Sequence, residues 1–498
     1  MAVEMDVRSK TTALELTDEE YRAIQEDNQA LAVDIIKDEL QHIFTMSVPL
    51  MVAEVMNEMP ETIMFVMYGR SNPEKSTQIL AALGLAELVD LLLVNSVVNG
   101  LSAALETVCA QAVGGKRYLE VWLTLQAGAL MFTASLPVLV TIFFNGGAIL
   151  RLVGQDPEIA QTAATILRLA AVSLPLTMIQ AVQKTLLQAQ NVTTPLAIST
   201  TISYLASLPL AYALGFWTPL GYIGIYASNI INNAVRVLVL MFFIMRTPVC
   251  HESWPGWMLE KAIQLVGKLT SLSIYSMFMS TFHFIGITTI SASAGYLPNP
   301  AVAIAANSIF IQIVGFITLP MTVIYVVGSI RMGNGLGAGQ TRRVALTSRT
   351  VIGMCAITGF IGTVLATCAA EPITRVFTSD PEAVNETVKL LDYGVVGIPL
   401  MGATFGVQAI FRSCGEQKTG AKLNFVFAAV IGTPLGLLFA ITLNGGVTGL
   451  WLGNSLGFLG LVVAAGLWLQ RVSWDKMVYN ARANTHLKVD EDPLAEAA

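Results

Sequence analysis

The chain has 498 residues, of which 54% are hydrophobic and 12% charged, and its mean hydropathy is +0.64. A soluble domain carries about 25% charged residues, so this composition excludes a water-soluble globular protein and implies repeated passage through a bilayer. The net charge of -6 excludes a nucleic-acid binder, which needs a strongly basic surface.

The first residues lack a basic segment followed by an apolar core, so no cleavable signal peptide is expected. Residues 1–40 read as a polar cytoplasmic tail, with the capping sequence that starts at Thr17 opening a helix through Tyr21, Ile24, Leu31 and Ile35. The five cysteines and four histidines are scattered singly, which predicts neither a disulfide framework nor a metal site, and no resident cofactor.

The first apolar stretch, residues 47–68, is long enough to span a membrane yet carries Glu54, Asn57, Glu58 and Glu61. On a helix the three glutamates fall within a stripe about 60° wide. Carboxylates in lipid are expensive and normally face a bundle interior or a watery cavity. The stripe is therefore expected to face inward and to titrate as a coupled set, the chemistry of a proton carrier. Pro60 deprives the Met56 carbonyl of its helical donor beside Glu61, predicting a bend there.

Apolar runs bounded by Gly, Pro, Asn and charges predict twelve spans: 43–68, 78–108, 121–144, 157–187, 195–214, 220–245, 266–294, 301–330, 344–368, 383–411, 422–442 and 446–470. Lysine and arginine concentrate on the face shared by the two tails, so both termini are expected in the cytoplasm. The predicted organisation is a tail at 1–40, a six-helix lobe at 41–245, a cytoplasmic linker at 246–268, a second lobe at 269–470 and a tail at 471–498.

Polar groups recur along the later spans. Span two brings Glu87, Asp90, Asn95 and Asn99, with Asp90 deep and Glu87 near the outer surface. Span four brings Arg168, and span six Asn229, Asn232, Asn233 and Arg236. Either arginine is a candidate to neutralise a glutamate, and the amides equally suit helix–helix hydrogen bonds. His283 lies mid-span, where an imidazole is either a proton carrier or a neutral donor.

The halves repeat each other. Residues 156–176 match 380–400 at a spacing of 224, with Asp156-Pro157-Glu158 on Asp380-Pro381-Glu382, and AQAVGGK (110–116) resembles NGLGAGQ (334–340). Six spans per repeat give a pseudo-twofold axis along the membrane normal. The glycines of these two motifs are expected to form tight turns at helix ends.

Residues 101–118 (LSAALETVCAQAVGGKRY), 330–340 (IRMGNGLGAGQ), the Asp-Pro-Glu turns, 410–424 (IFRSCGEQKTGAKLN) and 293–300 (SAGYLPNP) together resemble the multidrug and toxic compound extrusion (MATE) family, in its eukaryotic branch. The resemblance covers roughly residues 40–470. It implies an all-α integral membrane fold of twelve helices in two pseudo-symmetric six-helix lobes, alternating access, and export in exchange for protons or sodium ions. The branch's glutamates on spans seven, eight and ten would fall here on His283, Thr288, Ala303 and Met401, so the second lobe lacks them. Glu61 falls where prokaryotic relatives carry a cation-coupling aspartate.

The expected protein is a non-enzymatic, multi-pass antiporter that exports organic cations or amphipathic compounds in exchange for protons. Its candidate coupling and binding residues are Glu54, Asn57, Glu58, Glu61, Asp90, Asn99, Arg168, Asn232 and His283. The expected partners are the lipid bilayer and a small organic substrate, with no nucleic acid, in a monomer of the plasma or vacuolar membrane. Sodium coupling, organic-anion efflux and a non-transporting sensor or channel remain open.

Overall fold

A computed structural model describes residues 18–485 apart from 73, 74, 91–93, 95, 153, 252 and 379. Among the described residues the chain is helical throughout, with no strand. Asn95 and the outer parts of both tails lie outside the described residues.

The main helices are α1 (Asp18–Gln29), α2 (Ala32–Ser71), α3 (Ser76–Val89), α4 (Ser96–Gly114), α5 (Tyr118–Phe144), α6 (Pro157–Ala189), α7 (Thr194–Phe216), α8 (Tyr222–Arg246), α9 (Leu259–Ser293), α10 (Pro300–Gly337), α11 (Thr341–Cys368), α12 (Pro381–Ser413), α13 (Gln417–Thr442), α14 (Gly446–Arg471) and α15 (Trp474–Thr485). Nine of them, α5 to α8 and α10 to α14, are long and apolar enough to cross a membrane among the described residues. The first expected span lies on α2, which continues without interruption through Pro49 and Pro60. Over the expected span 78–108, α3 runs to Val89, Asp90 and Val94 take wider π-type turns, and α4 starts at Ser96, with 91–93 and 95 outside the described residues. The N-terminal helix expected through Ile35 is interrupted between α1 and α2.

The Asp-Pro-Glu turns have one physical cause in both repeats. Asp156 is the N-cap of α6 and accepts from the backbone N–H of Glu158 at 2.9 Å and Ile159 at 3.2 Å. Asp380 caps α12 by accepting from the N–H of Glu382 at 3.1 Å. Proline follows at the first helical position each time, where no N–H is needed.

The chain divides into two compact units. One comprises Val48–Cys109 and Val121–Met277. Its core is built from small and branched residues such as Leu83, Leu105, Phe143 and Leu167, all buried. The inter-helix segment after α8 is tied down inside it: Gln126 Nε2 donates to the Gly256 carbonyl at 2.8 Å, and the Met258 N–H donates to Gln126 Oε1 at 2.8 Å. Trp122 donates to Ser253 Oγ at 3.0 Å and meets Trp254 edge-on.

The other unit comprises residues up to Ser47, Ala110–Glu120, and Phe278 onward. Phe310, Met321, Leu390 and Trp451 form its core. Here the two repeat motifs meet directly. A Cβ on Gly337 would collide with the Gln111 carbonyl, and one on Gly114 with the Asn334 carbonyl. In membranes, where lipid is as apolar as leucine, close backbone approach through small residues is a main source of helix association. The turn expectation therefore needs correction: Gly339 does take a left-handed φ of 80, but in the first repeat that conformation falls on Lys116 at φ 55, while Gly114 and Gly337 serve the crossing.

Because the colliding atoms are backbone, Gly337→Ala cannot be absorbed by a rotamer change. It is expected to cost about 3 kcal/mol, read as a fall of several degrees in the unfolding midpoint of the detergent-solubilised protein by tryptophan fluorescence.

Candidate functional site

A cavity of about 730 Å³ opens within the unit that contains Val48–Cys109 and Val121–Met277. Helix α2 contributes Glu61, Met64 and Tyr68, spaced so that all three share one face. Helix α3 contributes Leu83, Glu87 and Asp90 at the same i+4 and i+3 steps. From α6 come Leu167, Ala170 and Leu174, from α7 Tyr204, and from α8 Tyr226, Asn232 and Arg236. Apolar walls with a few converging polar groups, at this size, are the usual make-up of a small-molecule site.

Glu61 is the centre of the polar part. The Tyr204 hydroxyl donates to Glu61 Oε1 at 3.2 Å. The guanidinium of Arg236 sits 5.4 Å from the centroid of the Tyr204 ring and donates through Nη2 to Asn57 Oδ1 at 2.9 Å. Arg236 thus reaches Glu61 through its field and through the tyrosine it stacks on, while its hydrogen bond goes to an amide. Among the described residues the carboxyl accepts from one neutral donor. Asn232 is buried and donates to Ser207 Oγ at 3.0 Å, and Gln180 donates to Asn233 Oδ1 at 3.1 Å. These amides knit α6, α7 and α8 together around the cavity.

Tyr68 is 3% exposed, lines the cavity, and its hydroxyl has no hydrogen-bond partner among the described residues. Leaving such a group unsatisfied costs about 1–3 kcal/mol.

Of the predicted site residues, the structure brings Glu61, Asp90 and Asn232 to the cavity wall, with Asn57 joined to it through Arg236. Glu54 is half-buried and Glu58 exposed, and neither lines the cavity, so the acidic stripe does not face one way as a set. Asn99 and Arg168 are exposed and outside the lining. Arg168 lies on the flank of α6 away from Leu167 and Ala170, so it does not neutralise a cavity carboxylate. Glu87, expected near the outer surface, lines the cavity instead, together with Tyr68, Tyr204 and Tyr226, which the sequence reading did not single out.

His283 belongs to the other unit and is buried, edge-on to Phe405 at 5.3 Å and stacked on Phe458 at 5.9 Å. Ala303 and Met401 are also buried. A pocket of about 10 Å³ lies nearby, bounded by Gly286, Thr289, Thr433 and Asn454. That is room for no more than about one water. The repeat spacing explains the contrast. At 224 residues on, Glu61, Glu87, Asp90, Tyr204 and Arg236 become Ile285, Ile311, Val314, Ala428 and Gly460.

The MatE family model matches residues 49–213 and 269–438. Multidrug and toxin extrusion protein 1 of Oryctolagus cuniculus is 24% identical over 465 residues, covering 93% of this chain and 80% of the relative. Protein DETOXIFICATION 17 of Arabidopsis thaliana is 28% identical over 395 residues, covering 79% of this chain and 82% of the relative. The fold is similar to that of the crystal structure of the eukaryotic MATE transporter AtDTX14, with a TM-score of 0.82 at 21% identity, covering 91% of this chain and all of that one. A transporter of the MOP superfamily from Pyrococcus furiosus has a TM-score of 0.76 at 14% identity, covering 91% of this chain and 99% of that one.

Proposed function

The chain belongs to the MatE family of multi-pass membrane transporters, and on that basis we propose that it is a secondary antiporter that exports organic cations or amphipathic compounds in exchange for protons, with Glu61 as the coupling group. The observation that carries this reading is the cavity around Glu61, where a carboxyl in a low-dielectric wall holds one neutral tyrosine donor. Such a carboxyl is neutral when protonated and attracts a cation when ionised, so its charge links the proton and the substrate within one cavity. The names of the relatives, multidrug and toxin extrusion proteins, support export of drugs and toxins.

We take protons rather than sodium ions as the coupling ion, because a single carboxyl is enough to carry a proton. We read residues 41–245 and 269–470 as the two lobes of an alternating-access monomer with cytoplasmic termini, in the plasma or vacuolar membrane. Coupling is then confined to the first lobe.

In proteoliposomes, a fluorescent organic cation is expected to accumulate under an imposed proton gradient and not under a sodium gradient. Accumulation driven by sodium alone would replace the ion in this reading, and none under either gradient would count against cation export.

A further inference from the structure

We propose that Glu87, Asp90 and the hydroxyl of Tyr68 form a subsite that recognises a primary or secondary ammonium group of the substrate, separate from the proton-carrying carboxyl of Glu61. The proposal rests on the transporter reading above and assigns the substrate's charged end within the same cavity.

Three observations converge on it. Glu87 and Asp90 stand one turn apart where α3 ends, and both line the 730 Å³ cavity. Their counterparts at the repeat spacing, Ile311 and Val314, pack in the apolar core of the other unit. The scaffold therefore builds this helix without acids, and their presence in the first repeat needs another cause. Independently of the acids, Tyr68 lines the same cavity and its buried hydroxyl has no partner among the described residues.

The chemistry selects the ligand class. Ionised carboxylates only accept hydrogen bonds, and a tyrosine hydroxyl both donates and accepts. A ligand that brings N–H donors and a positive charge suits both carboxylates and gives the hydroxyl a partner. A quaternary ammonium brings the charge but no donor, and is left with the carboxylate field and the faces of Tyr68 and Tyr226. A bare metal ion fits poorly, since among the described residues no three acidic groups converge. The cavity volume accommodates the organic body of an amine of drug-like size. Helix α3 gives way to π-type turns at Asp90, and such local departures from α geometry are frequent at functional sites.

The test uses the full-length protein in detergent, without any gradient, and two fluorescent probes. One is dansylcadaverine, which carries a primary ammonium, and the other is its N,N,N-trimethylammonium analogue. Wild type is expected to bind the primary amine more tightly. Tyr68→Phe should weaken the primary amine by about tenfold and leave the trimethyl analogue nearly unchanged. The combined Glu87→Gln and Asp90→Asn variant should weaken both probes by at least about tenfold. Glu61→Gln should move both dissociation constants together, keeping their ratio. An unchanged ratio in Tyr68→Phe, undiminished binding in the double variant, or no binding of either probe to wild type would overturn the subsite. Elution as a monodisperse peak with an unfolding midpoint near wild type separates loss of recognition from misfolding. Because binding is read at equilibrium, failed proton coupling would leave these outcomes intact, and a failed subsite would leave gradient-driven transport to be judged by itself.

Discussion

Glu61→Gln is expected to abolish accumulation of an organic cation driven by a proton gradient. Each unit of pH difference is worth about 1.4 kcal/mol per exchanged proton, enough for about tenfold accumulation of a monovalent cation in one-for-one exchange. Glutamine has nearly the shape of a protonated glutamate, and its carbonyl still accepts from Tyr204, so the cavity keeps its form. It cannot ionise, and a group that binds no proton transmits no proton gradient. The accumulation ratio should therefore fall to about one. Glu54→Gln and Glu58→Gln serve as controls, since neither residue lines the cavity, and both should retain most of the accumulation. Loss of coupling in Glu58→Gln with coupling preserved in Glu61→Gln would move the proton site out of the cavity.

Disrupting the ion cluster that fastens the N-terminal helices should have the second largest effect, on stability. Arg343 donates to Asp27 at 2.9 Å, to Asp38 at 2.6 Å and to Glu39 at 2.8 Å, and Arg331 donates to Glu39 at 2.6 and 3.0 Å. Asp27 and Glu39 have side chains only 2% exposed. Arg343→Ala takes the guanidinium away from the buried Asp27, while Glu39 keeps Arg331, and breaking a buried pair costs about 3–5 kcal/mol. The readout is a lower unfolding midpoint together with earlier proteolytic cleavage between α1 and α2.

Asp38 is a useful contrast because it is 46% exposed. Exposed pairs contribute about 0–1 kcal/mol, so Asp38→Asn should barely move the midpoint. Burial pulls the Asp38 carboxyl up, but the hydrogen bond and charge of Arg343, with His42 and Arg331 adding, outweigh it and hold the group below its usual value of 3.8. A depressed carboxyl contributes stability above its unfolded value and loses it as pH falls through the folded one. Its share is thus fully present at neutral pH and disappears only in strong acid.

The fold was largely legible because its causes are local. Long apolar runs and Asp-Pro-Glu caps each announce themselves in a few residues, and among the described residues nine helices are long and apolar enough to cross a membrane. The π-type turn at Asp90 was not legible, since hydropathy averages over a window and carries no record of which backbone bonds are made. The acidic stripe was read as a single inward face because a helical wheel fixes angles between residues but not where the cavity wall ends. That edge falls between Glu58 and Glu61.

The lining role of Glu87 was not legible either, because the pattern on α3 gives no depth along the cavity. The tyrosines were overlooked because in an apolar pattern a phenol looks like packing. Their spacing held a usable clue: Tyr68 lies two turns beyond Glu61, on the same face. His283 stands out by its mid-span position and its register in the resemblance, and its aromatic surroundings of Phe405 and Phe458 come from helices distant in sequence.

The central claim, that Glu61 exchanges its proton for a cation in the same cavity, is tested most directly by counting protons at equilibrium. The full-length protein in weakly buffered detergent is titrated with an organic cation while a pH indicator follows the solution. A positive charge beside Glu61 favours its ionised form, so wild type should release protons on binding and Glu61→Gln should release none while still binding. Release undiminished in Glu61→Gln would contradict the account.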